Sequence, residues 1–361
     1  MLALFCAGLT LACSLPGCSR ATKLERYNKQ FLDVFDTVSM EIGFEKSEAD
    51  FQKCYESSHA QLLKEHRLYD IYNDYEGINN LKTVNDNAGI QPVKVDPDLL
   101  SLIKWGKEVY TLTDGKVNIA YGAVLRLWHD KREAGIEDPT HAELPDQAAL
   151  EEAAKHTDIE DVIIDDAAGT IYLKDPEMSL DVGGIGKGYA TENAAKLIQN
   201  EGSENFLLNL GGNVRAIGIK GDGSKWVCPV ESPEYRDSQT GDQYAITCYL
   251  NGRSLVTSGD YERYFVVDGQ RYHHIIDPDT LYPAKYYRSV SILTEDSGLA
   301  DALSTALFMM PVEDGKALIQ SIREGSSPLG ADFRVEDLEA MWIDADGHQE
   351  YTDGFLNYTK G

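Results

Sequence analysis

The sequence predicts an α+β fold: mixed, largely antiparallel sheets with packed helices. Three observations carry that expectation. Segments of helical period alternate with short apolar runs rich in Val, Ile, Leu and Tyr. Several runs are joined by Asn-Gly or Asp-Gly, dipeptides that close antiparallel hairpins. The chain has 361 residues, 42% of them apolar, enough for a sizeable core. Interleaving alone would also suit a doubly wound parallel sheet, and the hairpin signals decide against it.

From Lys46 to Asp70, Phe51, Tyr55, His59, Leu62, His66 and Tyr69 recur at helical spacing and predict a long helix. Asp96-Pro97 reads as the cap and first turn of a second helix, with Gly115 beyond its end. A third, alanine-rich helix runs from Asp146 to His156. Val162–Ile164 and Thr170–Leu173 form a hairpin, Tyr189–Gln199 a helix and Phe206–Leu210 a strand. Tyr244–Leu250 and Ser254–Thr257 are expected to pair across Asn251-Gly252, and Tyr264–Val267 with Arg271–Ile276 across Asp268-Gly269. Val290–Leu293 is a strand, Gly298–Met310 a helix, and a last hairpin turns at Asp346-Gly347.

The balance of 33 basic against 60 acidic residues gives a net charge of −27, which argues against nucleic acid and anionic lipid headgroups as partners. An anionic ligand must then be held by local cations. Met1 to Gly17 carries no charge and ends at Leu15-Pro-Gly-Cys18, the pattern of a signal peptide of lipoprotein type with Cys18 as the lipidated residue. Residues 18–34 are polar enough for a tether, leaving one folded domain over 35–361. The cysteines form neither a disulfide framework nor a zinc pattern.

The chemistry concentrates in Ser179-Leu-Asp-Val-Gly-Gly-Ile-Gly-Lys-Gly-Tyr189. Its glycines permit close backbone approach to a bulky anion, and the helix beginning there offers free N–H groups to phosphate. Asp181 and Lys187 add opposite charges. The stretch matches neither the Walker loop nor the dinucleotide fingerprint, so an ordinary glycine-rich turn stays open at this point. In Ala300-Asp-Ala-Leu-Ser-Thr305, Asp301 and Thr305 share a helical face and offer hard oxygen ligands for Mg²⁺, or merely favour the helix dipole and bond back to the backbone. His274, in His273-His-Ile-Ile-Asp-Pro278, is a candidate general base or a surface residue. Tyr72 belongs to a tyrosine-rich stretch, and a stacked ring supports a flavin or nucleotide base.

In order along the chain, Phe35-Asp-Thr37, Tyr72 with Glu76-Gly-Ile-Asn-Asn80, Gly115 to Trp128, Leu180 to Gly188, Leu210-Gly-Gly-Asn213, Thr257-Ser-Gly259, His274 to Pro278 and Ala300 to Thr305 resemble the ApbE family of FAD:protein FMN transferases. The resemblance implies an ApbE-like fold and a reaction in which FMN moves from FAD to a Thr or Ser hydroxyl of an acceptor protein while AMP leaves. By matching position, Tyr72 would stack the isoalloxazine, and Asp181 and Lys187 would hold the nucleotide and pyrophosphate. Asp301, Thr305 and the Gly184 carbonyl would bind Mg²⁺, and His274 would deprotonate the acceptor. Phe35, Ala120, Tyr121, Gly122 and Ile275 would line the FAD pocket. Val117-Asn118 stands where many members carry Phe-Asp, and Gly184 replaces a common alanine. Members are often exported lipoproteins, which places this chain on the extracytoplasmic face of the cell membrane through a lipid at Cys18. FAD hydrolysis to FMN and AMP, or flavin binding without turnover, are the alternative activities.

Overall fold

The computed structural model describes residues 23–360. The leader read over 1–17 and the lipidation residue Cys18 lie outside the described residues. Among the described residues no helix is long and apolar enough to cross a membrane.

The architecture rests on one eight-stranded antiparallel sheet whose strand order follows the chain. Its strands are β1 (Glu25–Phe31), β2 (Ser39–Glu45), β3 (Asn205–Leu210), β4 (Asn213–Gly218), β5 (Ser254–Gly259), β6 (Ser289–Thr294), β7 (Glu339–Ile343) and β8 (Gln349–Tyr351). Each strand pairs with the next, from Glu25↔Glu45 at one edge to Ile343↔Gln349 at the other. The expected α+β class is therefore observed. One boundary is corrected: the tether over 18–34 is shorter, because Glu25–Phe31 pairs along its whole length with β2 and belongs to the sheet. Its mostly exposed polar side chains, which read as linker, are those of an edge strand.

Both faces of the sheet are covered, so the central strands are largely buried on both sides, with Arg215, Ser254, Ser289 and Ser291 among their buried residues. One face carries α1 (Glu48–Tyr69), α4 (Gly186–Asn200) and α5 (Ser297–Phe308). The other carries an antiparallel ribbon, Trp226–Glu231 with Tyr244–Leu250, whose Trp226, Cys228, Val230, Cys248 and Leu250 meet Ile42, Leu207, Leu255 and Leu293. Along β2, Ile42 points to the ribbon, while Glu41 points to α1 and accepts from Ser58 there. The remaining long helices are α2 (Pro97–Leu112), α3 (Gly122–Glu137) and α6 (Val312–Glu324).

α1 is capped by Ser47, which accepts from Asp50 N–H, and α2 by Asp96, which accepts from Asp98 N–H ahead of Pro97. The Tyr264–Val267 and Gln270–His273 hairpin turns with Asp268 and Gly269 both at positive φ, the geometry a two-residue turn demands. The hairpin expected across Asn251-Gly252 does not form. Tyr244–Leu250 pairs with Trp226–Glu231, and Ser254–Gly259 crosses into the main sheet between β4 and β6. The turn itself exists, with Gly252 N–H donating to Gly218 O, but it carries the chain from one layer to another.

Candidate active site

The glycine-rich loop joins the small sheet of Val162–Asp165 and Thr170–Leu173 to α4. Asn85 pins it at one end: its amide donates to Leu180 O, and its carbonyl accepts from Leu180 N–H. Asp181 N–H donates to Ile119 O, and its carboxylate accepts from Gly183 N–H at 2.7 Å, curling the chain before the helix. α4 then begins at Gly186, whose N–H donates back to Val182 O at 2.8 Å, and the next N–H groups of the first turn have no partner within the helix. One of them, Gly188 N–H, donates to Asp301 Oδ2 at 2.7 Å. A carboxylate from α5 thus caps the N-terminus of α4.

That contact explains a glycine. A Cβ at 188 would stand 2.3 Å from Asp301 Cβ and 2.4 Å from Ser297 O, so only glycine lets the two helices approach. Lys187 extends from the same turn, its Nζ 4.0 Å from Asp301 Oδ1. Asn213, at the start of β4, bridges the two in the amide orientation that satisfies both. Its oxygen accepts from Lys187 Nζ at 2.7 Å and its nitrogen donates to Asp301 Oδ1 at 3.3 Å. Thr305, one turn beyond Asp301, donates from Oγ1 to Gly184 O at 3.3 Å. Thr305 thus meets the Gly184 carbonyl directly, and Asp301, one turn back on the same helical face, lines the same cleft.

Gly184, Lys187, Asp301 and Thr305 line a cleft of about 410 Å³ together with Tyr72, Tyr121, Asp181, His274 and Ile275. A second recess of about 250 Å³ shares the wall formed by Asp36, Tyr72, Asp181, Lys187 and Arg263, and Phe35 lies there. Phe35 and Asp36 sit at φ 53° and 50°, a left-handed pair held by Phe35 N–H donating to His66 Nδ1. Two of the expected pocket residues are corrected. Ala120 is fully buried in the core, and Gly122 is buried at the start of α3, where its N–H donates to Ser179 O. Of that stretch only Tyr121 reaches the cleft.

Burial pushes the Asp181 and Asp301 carboxyls above their ordinary range; the Lys187 ammonium and the Gly188 N–H partly offset this at Asp301. A cation in the cleft would favour both as carboxylates. The adjacent histidines divide in role. His273 is buried, donates from Nε2 to Ala284 O and accepts from Ile275 N–H, so it ties strands together. His274 opens to the cleft, and its Nδ1 lies 3.3 Å from Arg263 O. A carbonyl only accepts, so the proton sits on Nδ1 and Nε2 is left as the basic nitrogen. Burial, and then the charge of Arg263, push this imidazole down to about 3, so it is neutral near pH 7, and an anionic ligand beside it would raise its basicity toward that of a general base.

Tyr72 stacks on His129 with centroids 5.1 Å apart, and Arg132 donates to His129 Nδ1 at 2.8 Å. The Tyr72 loop is shaped by Asp70, which accepts from the N–H groups of Tyr72 and Asn73 and from Tyr75 Oη. His129, Arg132, Asn213 and Arg263 are site residues that sequence reasoning missed. Asn213 closes the Leu210–Asn213 stretch that carries part of the resemblance and Arg263 lies just beyond Thr257–Gly259, but the partners of both are remote in sequence.

Fold and site together define an α+β protein with a two-compartment cleft that holds Lys187 and Arg263, a group of oxygen donors and a neutral histidine. The chain belongs to the ApbE family, whose model matches residues 37–327. It is 32% identical over 273 residues to a protein of Klebsiella pneumoniae (strain 342) named FAD:protein FMN transferase, across 74% of this chain and 81% of that one. A Treponema pallidum (strain Nichols) protein of the same name is 30% identical over 324 residues, 86% of each chain. Among solved structures, the ApbE protein of Thermotoga maritima superposes with a TM-score of 0.77 at 30% identity, over 93% of this chain and 100% of its own. The flavin transferase ApbE of Vibrio cholerae shares the fold, with a TM-score of 0.74 at 23% identity, over 93% and 99% of the two chains.

Proposed function

We propose that this chain transfers FMN from FAD to a Thr or Ser hydroxyl of an acceptor protein, releasing AMP. The observation that carries this reading is one cleft holding Lys187, the Asp301–Thr305–Gly184 oxygen cluster and a neutral His274 with its Nε2 free. The two compartments suit a ligand with two ring systems joined by a pyrophosphate, and Tyr72 and Phe35 supply aromatic walls.

The oxygen cluster fits Mg²⁺. Its donors are a carboxylate, a hydroxyl and a carbonyl, all hard ligands, and the buried Asp301 carboxylate has only an ammonium 4.0 Å away to balance it. Asp301, Thr305 and the Gly184 carbonyl would hold the ion, which supplies charge neutralisation at the pyrophosphate when bound. The residues do the rest. Lys187 neutralises phosphoryl charge, Asn213 aims Lys187, and Tyr72 and Tyr121 wall the flavin. His274 Nε2 takes the hydroxyl proton as the acceptor oxygen attacks phosphorus. The chain works tethered at the extracytoplasmic face of the membrane through Cys18, a placement supported by the charge-free run ending at Leu15-Pro-Gly-Cys18.

The test is incubation of the full chain with FAD, Mg²⁺ and a co-expressed candidate acceptor, followed by mass spectrometry of the acceptor for one added FMN. Asp301→Asn, which keeps an oxygen for Gly188 N–H, is expected to lose Mg²⁺-dependent turnover by about 10²-fold or more while FAD still binds. AMP released equally fast without acceptor would replace transfer by hydrolysis. FAD binding with no turnover would leave a flavin-binding protein.

A further inference from the structure

Arg263 lies in the loop between β5 and the Tyr264–Val267 strand, and it lines both the cleft and the recess. Its acidic neighbours are engaged elsewhere. Asp260 pairs with Arg288 Nε at 2.7 Å and Arg271 Nη1 at 3.3 Å, and Glu262 with Arg236 at 3.3 Å. Among the described residues Arg263 has no ion-pair partner, although the chain carries 60 acidic groups to 33 basic ones. The loop beneath it is braced: Asp260 N–H donates to Arg288 O, and Asp237 clamps Arg271 and Arg288 from the far side at 2.6 and 2.7 Å. The guanidinium is close enough to affect Tyr72, Asp181, His274 and Asp301 electrostatically, so it is central to the site. An unpaired guanidinium on a braced loop, lining a cleft that also holds Lys187, has its counter-charge in the ligand.

We propose that Arg263 is a further catalytic residue, whose guanidinium binds the phosphoryl group in transfer while its backbone carbonyl fixes the tautomer of His274. The inference rests on the FMN-transfer reading. In that step the acceptor oxygen bonds to the FMN phosphorus and the bond from that phosphorus to the bridging oxygen breaks. AMP leaves with the bonding pair, and the hydroxyl proton passes to His274 Nε2. Charge grows on the phosphoryl and bridging oxygens. Lys187 meets it with one ammonium already shared with Asn213, whereas the fork of Arg263 offers parallel donors.

The carbonyl of residue 263 survives any substitution, so side-chain variants isolate the guanidinium. Arg263→Gln is expected to lower kcat for FMN transfer about 10²- to 10³-fold, with a smaller change in KM for FAD, and Arg263→Lys to recover part of it. Calorimetry with ADP, which has the pyrophosphate without the flavin, is expected to show about tenfold weaker binding for Arg263→Gln. Wild-type kcat in Arg263→Gln, or unchanged ADP affinity, overturns the proposal. If the wild-type chain binds ADP but transfers no FMN, the functional reading fails instead, and the ADP measurement alone decides whether Arg263 is a phosphate ligand. Unchanged melting temperatures of both variants exclude misfolding as the cause of a loss.

Discussion

At position 188 a hydrogen in place of a methyl group lets Asp301 reach the first turn of α4, and that contact joins the anion loop to the oxygen cluster. Gly188→Ala would drive a Cβ into Asp301 Cβ at 2.3 Å and into Ser297 O at 2.4 Å, both on the backbone-anchored side of α5. The helices must separate, and we expect a loss of about 3 kcal/mol together with FMN transfer, measured by urea unfolding and by the acceptor assay. Gly184→Ala is the control. Its Cβ would sit 3.4 Å from Thr305 Cγ2, an ordinary contact, and its φ is not positive. Stability should change by less than about 1 kcal/mol and activity should persist. The glycines and charges of this loop were legible because they lie within one short segment, as do Asp301 and Thr305. Asn213 and Arg263 were not, because their meaning comes from Lys187 and His274, met only through the sheet. The two histidines show the same limit: adjacent and chemically alike, they alternate across a strand end, so one faces the core and the other the cleft.

The helices and hairpins were read from local signals, and those signals were sufficient where the partner is the next element. Asp268-Gly269 closes a hairpin because both flanking strands stay in one layer. Asn251-Gly252 makes a turn in which Gly252 but not Asn251 has positive φ, and Cys248 and Leu250 are buried against the main sheet while Ser254–Gly259 lies within it. Layer assignment outweighs a two-residue signal. The ribbon excursion that results also braces the Arg263 loop, through the short helix Pro233–Ser238, whose Asp237 pairs with Arg271 and Arg288. Against the burial that raises it, two guanidiniums hold the Asp237 carboxyl low. Asp237→Asn removes one of the two anions shared by Arg271 and Arg288, leaving Asp260 to hold both. The expected result is a loss of about 1–2 kcal/mol and a larger fall in kcat than in FAD affinity, since the braced loop carries Arg263 and the carbonyl facing His274. Parallel calorimetry and transfer kinetics check this, and equal losses in both would make the quartet a purely structural brace.

On the scale of the whole molecule, the chain-ordered meander with long excursions was beyond local reading, because each excursion separates strands that end up adjacent. Equally hidden were two acids in the core, which composition counted among the surface charges. Glu41 and Glu65 are both 0% exposed. Glu41 accepts from Ser58 Oγ at 2.8 and 2.9 Å, and Glu65 from Asn193 at 2.7 Å and Gln61 at 3.0 Å; among the described residues neither has a cation beside it. Burial pushes Glu41 up to about 8 and Glu65 up to about 7, from 4.5 when exposed. The folded chain therefore keeps protons that the unfolded chain releases near pH 4.5. Between that pH and about 8 the native state binds more protons, so stability falls as pH rises, with each group contributing at most about 1.4 kcal/mol per pH unit. The contribution is complete below the unfolded value and is lost through the folded one. Glu41→Gln keeps a neutral hydrogen-bonding group of the same shape and removes the titration. Urea unfolding at pH 5, 7 and 9 should show the variant near wild type at pH 5 and more stable by on the order of 2–4 kcal/mol at pH 9. A pH slope identical in variant and wild type would mean that Glu41 is ionised in the folded chain, with a charge partner drawn to it at the α1–sheet interface.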